Sequence, residues 1–305
     1  MKRARLAAAA TAAVTLLALS ACGGSDALDS GSNDTPAASD TIVVGSANFP
    51  ESILLGEIYA GALEAKGVKV EKKLNLGSRE VYLKALEDGS IDLLPEYNGY
   101  LLGYYDPQAT ASGPDEVLAA LKTKLPSTLT VLNQAAAEDT DAVVVTKATA
   151  DKYHLTSIGD LAPVAKDLTL GGPPEWKTRA TGVPGFKAKY GVTFKAFKSL
   201  DAGGPLSVAA LDKGQVDAAN IFTTDPNIVA KNWVALQDPE HLFLAANVLP
   251  LITKTKASQT VSDALNAVSA KLTTETLLDL DKKVILDKAD PQTVAKEFLS
   301  SNGLS

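Results

Sequence analysis

The sequence predicts an α/β protein in which mixed sheets are covered by helices and the chain divides into two lobes. Three observations carry this. Short β-branched runs alternate with amphipathic segments from residue 41 onward, the pattern of a parallel or mixed sheet flanked by helices. The phrase A-L-x-x-G-x-[IV]-D occurs twice, in ALEDGSIDLLPEY (85–97) and ALDKGQVDAANIF (210–222), 125 positions apart, and each copy carries a ring five residues after its aspartate. The 265 residues from 41 to 305 are enough for two lobes of ordinary size.

The elements follow in order. TIVVG (41–45) is short and β-branched, hence a strand. Residues 51–66 form an amphipathic helix stopped by Gly67, with Glu51 offsetting the helix dipole. VEKKLNL (70–76) is a strand, and SREVYLKALEDG (78–89) is a helix with Ser78 as N-cap and Gly89 as stop. IDLL (91–94) reads as a buried strand. A second block of the same kind opens at DAVVVTK (141–147) and runs to about residue 245, with FKAFKSL (194–200) and QVDAANI (215–221) as strands. SQTVSDALNAVSAKL (258–272) and DPQTVAKEFLSSNGL (290–304) open on polar caps and place apolar residues at helical spacing. Each copy of the duplicated phrase is thus a helix end, a glycine cap, a short strand and a loop with a ring. Loops beyond the carboxyl ends of such strands hold ligands in open α/β sheets, which would set Tyr97 and Phe222 on facing walls of a cleft. The alternative is a common helix–Gly–strand phrase recurring by chance.

The N-terminus reads as a secretion signal. Lys2, Arg3 and Arg5 precede an apolar run of 16 residues, 6–21, short of the roughly 20 that a membrane span needs. LSAC (19–22) resembles a bacterial lipobox, so Cys22, the sole cysteine, is expected to become a lipid-bearing N-terminus that holds the protein at the outer face of the cell membrane. A lone cysteine allows no intramolecular disulfide. Residues 22–40 are rich in Gly, Ser, Asp and Ala and lack any aromatic; they read as a flexible tether. Loss of 1–21 removes three positive charges and no negative ones, taking the formal net charge from −7 to −10. That argues against nucleic acid as a partner.

Nothing in the chain points to catalysis. The two histidines, His154 and His241, stand in polar, loop-like contexts, and no H-E-x-x-H, G-x-S-x-G, P-loop or C-x-x-C occurs. No catalytic residue, cofactor or metal site is therefore expected. A carboxylate pair such as Glu96 with Asp139 is the enzymatic alternative left open, and a ligand sensor is a further one.

Four stretches, GSANFPESILLGEIYAGALEAKG (45–67), LNLGSREVYLKALEDGSIDLLPEYNG (74–99), GGPPEWKTR (171–179) and the SLDAGGPL and ALDKGQVDAANIFTTDP segments of 199–226, resemble extracytoplasmic solute-binding proteins of ABC importers for osmoprotectants: glycine betaine, choline and carnitine. The resemblance spans essentially 41–305. It implies a two-lobed, type II periplasmic-binding-protein fold with a two-strand hinge, lobe 1 at 41–140 plus 249–305 and lobe 2 at 141–248. It also implies a monomer that closes over a small solute and hands it to ABC permease subunits.

The same resemblance implies a site. The family holds a trimethylammonium head against ring faces, each good contact contributing about 0.5–2 kcal/mol. Tyr97 in PEYNG matches the first cage tyrosine, and Phe222 in NIFTTD, with Thr223 beside it, stands where a second ring is usual. Tyr100 replaces a threonine and restores one ring. Two usual rings are missing: one position falls in Glu138-Asp139-Thr140-Asp141, the other at Asn247 ahead of V-x-P. Two lost rings at about 1 kcal/mol each weaken a quaternary amine roughly thirtyfold. Asp139 and Asp141 would serve instead as counter-charges or hydrogen-bond partners. Arg179 in EWKTR takes the place of an arginine that meets a carboxylate in some relatives. Ser46, Asn48 and Ser52 flank the start of the first helix, whose free N–H groups attract carboxylates, or they simply cap it. Gly171-Gly172-Pro173-Pro174 reads as a rigid loop that lets backbone approach a solute, with Trp176 beside it as core or contact. The ligand stays open between a quaternary amine and a hydroxylated or aromatic molecule.

Overall fold

The computed structural model describes residues 41–305. The signal, Cys22 and the tether expected from the sequence lie outside the described residues. In chain order the strands are β1 (Ile42–Gly45), β2 (Val70–Lys73), β3 (Leu93–Tyr97), β4 (Leu129–Val131), β5 (Asp141–Thr146), β6 (Thr169–Gly172), β7 (Ala196–Ser199), β8 (Ala218–Phe222), β9 (Trp233–Ala235) and β10 (Val248–Thr253). They form two five-stranded sheets, ordered β2-β1-β3-β10-β4 and β7-β6-β8-β5-β9. Both are mixed: four strands run in one direction, and the fourth in the order, β10 or β5, runs antiparallel to its neighbours on either side.

Helices α1 (Pro50–Glu64), α2 (Arg79–Glu87) and α3 (Asn98–Tyr105) follow β1, β2 and β3 of the first sheet, and α4 (Pro114–Lys124) leads from α3 into β4. The second sheet has α5 (Lys147–Tyr153), α6 (Val183–Tyr190), α7 (Pro205–Asp212) and α8 (Asn227–Ala230). The chain closes with α9 (Gln259–Ser269), α10 (Thr274–Asp281) and α11 (Pro291–Ser301), α10 widening after Asp281 into a π turn, Lys282–Leu286. Among the described residues no helix is long and apolar enough to cross a membrane.

The duplicated phrase is a duplicated structure. Gly89 and Gly214 both sit in the left-handed region, at φ 79° and 64°, where a Cβ is costly. The aspartates do the same work in each sheet. Asp92 accepts from the amide of Val43 at 2.9 Å, and Asp217 from that of Thr169 at 2.8 Å. The return bonds run from their own amides to the carbonyls of Val43 and Thr169. Each carboxylate therefore pins a central strand to its parallel neighbour: β3 to β1, and β8 to β6. The rings fall on the last residues of β3 and β8 rather than in the loops beyond. Tyr97 stands opposite Val248, and Phe222 opposite Asp141.

Each sheet has its own apolar cores. In α9, Val261, Ala264, Leu265 and Val268 are buried at helical spacing, and in α11 Val294, Ala295, Phe298 and Leu299. Their caps hold as expected: the side chains of Ser258 and Asp290 accept from the amides three residues on. α11 packs so closely on α1 that a Cβ at Gly61 would lie 2.7 Å from Leu299 Cδ1. The two sheets are joined through antiparallel segments around 135–139 and 246–248, where the Ala135 amide donates to Val248, that of Val248 to Ala137, and that of Asp139 to Ala246. This is the two-strand hinge.

Candidate functional site

Beside the hinge, the carboxyl ends of β1, β3, β6 and β8 converge on a cavity of about 480 Å³. The β1–α1 loop contributes Asn48 and Phe49, the start of α2 contributes Arg79 and Tyr82, and β3 and α3 contribute Tyr97 and Tyr100. Asp139 and Asp141 come from the crossing segment. From the second sheet come Pro173–Trp176, Arg179, Asn220 and Phe222. The cleft wall is thus built from both lobes, as expected for a ligand held at strand ends.

Tyr97 and Phe222 do not meet directly, because Phe49 stands between them. Its centroid lies 4.9 Å from that of Phe222 and 6.1 Å from that of Tyr97. Tyr100 continues the row, 6.2 Å from Tyr97 and edge-on. Phe49 was missed from sequence, although a ring directly ahead of a proline at a helix start, on the loop leaving β1, was the available signal. Phe222 rests on bare backbone: a Cβ at Gly203, itself at φ 62°, would lie 2.6 Å from Phe222 Cδ2.

The arginines are already partnered. Arg79 binds Glu96 through Nε (2.6 Å) and Nη2 (3.0 Å), and its guanidinium lies 5.4 Å from the Tyr100 centroid. Glu96 is fully buried and also accepts from Tyr82 (2.6 Å) and from the Tyr97 amide (2.6 Å). Arg179 lines the cavity, but both arms of its fork hold Glu80 of α2, at 3.0 and 2.8 Å. The expectation that Arg179 waits for a ligand carboxylate is corrected to this extent: its charge is spoken for.

The two aspartates are not. Asp141 is buried, accepts from Asn220 Nδ2 at 2.7 Å, and its amide donates to the Tyr100 hydroxyl. Burial pushes its carboxyl up, while Asn220 and the more distant charges of Arg179 and Arg79 pull it back. Asp139 accepts from the Thr224 amide and the Thr223 hydroxyl, each at 3.1 Å. Burial and the nearby Glu51 charge hold it well above the usual carboxylate range.

Four expected contacts lie off the cavity. Ser46 accepts from the Asn75 amide (2.8 Å) and Ser52 from that of Ala47 (2.9 Å); both are fully buried and shape the lead into α1. Thr223 ties the crossing segments, its hydroxyl accepting from the Thr140 amide at 2.9 Å. The Asn247 amide donates to Asn98 Oδ1 at 2.8 Å, and its side chain donates to the Ala135 carbonyl at 3.2 Å. Gly171 and Gly172 are not a loop but the end of β6. Gly171 is needed for packing, since a Cβ there would lie 2.6 Å from Leu200 Cδ1. Trp176 is a core residue, nearly stacked on Phe243, with one edge at the cavity. Glu51, read as helix-dipole compensation, is instead buried, accepting from the hydroxyls of Tyr97 and Thr224, the latter at 2.7 Å. His154 and His241 sit at left-handed turns, φ 55° and 50°.

The substrate-binding domain of ABC-type glycine betaine transport systems matches residues 40–301. The carnitine transport binding protein OpuCC of Listeria monocytogenes is 29% identical over 271 residues, covering 86% of this chain and 87% of that one. The glycine betaine-binding protein YehZ of Escherichia coli (strain K12) is 28% identical over 280 residues, covering 87% and 92%. A solved structure described as a glycine betaine/carnitine/choline ABC transporter superposes with a TM-score of 0.67 at 26% identity, covering 86% of this chain and 99% of that chain.

Proposed function

The chain belongs to the substrate-binding domains of ABC-type glycine betaine transport systems, and from that premise we propose that it captures a quaternary-ammonium solute between Phe49, Tyr97 and Phe222. As a solute-binding component of an importer it works outside the cytoplasm and passes its cargo on; its task is transport.

The observation that carries the ligand class is the sign of the charge left in the cavity. Arg79 is paired with Glu96 and Arg179 with Glu80, whereas among the described residues no lysine or arginine is ion-paired with Asp139 or Asp141. A site walled by ring faces and two carboxyls favours a cation, and the ring faces suit one, such as a quaternary ammonium, that needs no hydrogen-bond acceptors. Phe49, added beside Tyr97 and Phe222, supplies one of the two rings missing near Asp141 and Asn247. Tyr100 also lines the cavity, with the Arg79 guanidinium 5.4 Å from its ring centroid. In this reading residues 41–140 with 249–305, and 141–248, are the two bodies that close about the hinge. Calorimetry on the mature protein with glycine betaine, choline, carnitine and a polyol series tests it. Heat from at least one quaternary amine and none from polyols is expected; binding of polyols alone would overturn the assignment.

Attachment to the membrane is part of the same proposal. The lipobox-like LSAC supports a lipid on Cys22. Two or three acyl chains there give stable anchoring where one does not. Mass spectrometry of the mature N-terminal peptide is expected to find it acylated, and Cys22→Ser to move the protein to the soluble fraction.

A further inference from the structure

Beneath the ring row lies a second feature that the cage does not use. Three carboxyls face one another: Glu51 from the first turn of α1, Asp139 from the crossing segment, and Asp281 from the last residue of α10. Relative exposures are 3%, 1% and 0%. The Thr224 hydroxyl, brought from the second lobe, faces all three and has a single hydrogen, which goes to Glu51 at 2.7 Å. The Tyr97 hydroxyl also donates to Glu51. Among the described residues, neither oxygen of Asp281 accepts a hydrogen bond of good geometry.

The remaining groups that face the cluster do not neutralise it. Tyr97 comes from β3, Tyr100 from α3, and Asp225 from the segment after β8, where the charge of Lys288 acts on it. Among the described residues no lysine or arginine is ion-paired with Glu51, Asp139 or Asp281, and the three are not arranged to hold a metal ion. Buried carboxylates without a counter-charge are relieved by taking up a proton. A carboxyl pair such as Glu51 and Asp281 forms a hydrogen bond only when one partner carries that proton.

We propose, resting on the quaternary-amine reading of the site, that a proton is held on Asp139 or Asp281, beside Glu51 and beneath the rings, and that a cationic ligand is admitted in exchange for it. Asp139 is the member that lines the cavity. When an ammonium charge arrives beside it, the O–H bond of the protonated acid breaks, the proton passes to the buffer, and the carboxylate left behind faces the cation. A neutral polyol supplies no charge to replace the proton. The cluster therefore selects for cations and makes Glu51 and Asp281 specificity-determining residues although neither lines the cavity. In the free protein, burial and then the Glu51 charge raise the Asp139 and Asp281 carboxyls well above the ordinary range. The exchange therefore works on the acid side of that raised value: affinity rises with pH until the free cluster is itself ionised.

The test is calorimetry of choline and glycine betaine binding to the mature protein from about pH 5 to 9, in paired buffers of different ionisation enthalpy. Up to one proton released per ligand is expected, with Kd falling by up to about tenfold per pH unit as pH rises. Asp139→Asn and Asp281→Asn should each flatten the profile and remove the buffer dependence. The buffer pair on the unmodified protein decides the matter even if a variant does not fold. Binding with buffer-independent heats and a flat Kd would overturn proton exchange while leaving the ligand class standing. No binding of either amine at any pH would overturn the ligand class itself.

Discussion

Arg179 and Glu80, from different lobes, meet in a two-point ion pair, Nε to Oε1 at 3.0 Å and Nη2 to Oε2 at 2.8 Å. The fork matches the carboxylate plane, so the pair fixes the approach of the lobes as well as attracting them. Burial works against the charge on Glu80, but the Arg179 hydrogen bonds and its own backbone amide outweigh it and hold the carboxyl at about 2. Both side chains remain partly exposed, so the pair contributes no more than about 1 kcal/mol after screening. Glu80→Gln is expected to weaken ligand binding by up to about fivefold and to shift the protein toward an opened form in small-angle scattering. The sign with pH follows from the depressed value. The latch is fully present above the ordinary carboxylate range and is lost only as pH falls from there toward about 2, so scattering at pH 6 and at pH 3 should differ in the parent and coincide in Glu80→Gln.

Phe49 carries the cage across the gap between Tyr97 and Phe222. Replacing it by leucine keeps apolar bulk and removes the negative ring face. Loss of about 1 kcal/mol, or about fivefold in Kd for choline, is expected, with little change in melting temperature. Tyr97→Ala should cost at least as much, since it removes a ring and also a donor to the buried Glu51. An unchanged Kd in both variants would rule out the ring-walled site.

Asp92 and Asp217 are structural twins. Each receives the amide of the strand beside it, so Asp217→Ala leaves the Thr169 amide without that acceptor. A loss of about 1–3 kcal/mol in urea unfolding is expected, with ligand affinity per folded molecule retained. Asp92→Ala should act likewise on the first lobe. A selective loss of affinity would mean that the repeated aspartates serve the ligand rather than the sheet.

Arg79 neutralises the fully buried Glu96. Arg79→Met strands that carboxylate among Tyr82 and the Tyr97 amide, a change that typically costs about 3–5 kcal/mol. Thermal unfolding should show the loss, and Arg79→Met combined with Glu96→Gln should recover much of it. Failure of the double variant to recover would mean that Arg79 matters through its packing on Tyr100 instead.

Much of this was legible along the chain. Alternating short strands and helices, the two glycine stops at Gly89 and Gly214, the caps at Ser258 and Asp290, and the rings at Tyr97 and Phe222 all depend on local rules: period, φ preference, and hydrogen bonds spanning three or four residues. Even the duplicated aspartate was visible as a pattern, although its task was not. The partners decided that task, because Asp92 and Asp217 reach strands 49 and 48 residues away.

What required the folded chain is whatever depends on long-range company. Glu51 reads as an ordinary first-turn acid until α10 brings Asp281 and the second lobe brings Thr224 beside it. Arg179 reads as a ligand contact until α2 presents Glu80. Asp281 gives no local signal at all. Electrostatic energies fall off with distance in space rather than along the chain, so the charge left over in a cleft is a property of how segments meet. Neighbouring residues can dictate where a strand ends and a ring stands, but whether a buried acid keeps its proton waits on tertiary structure.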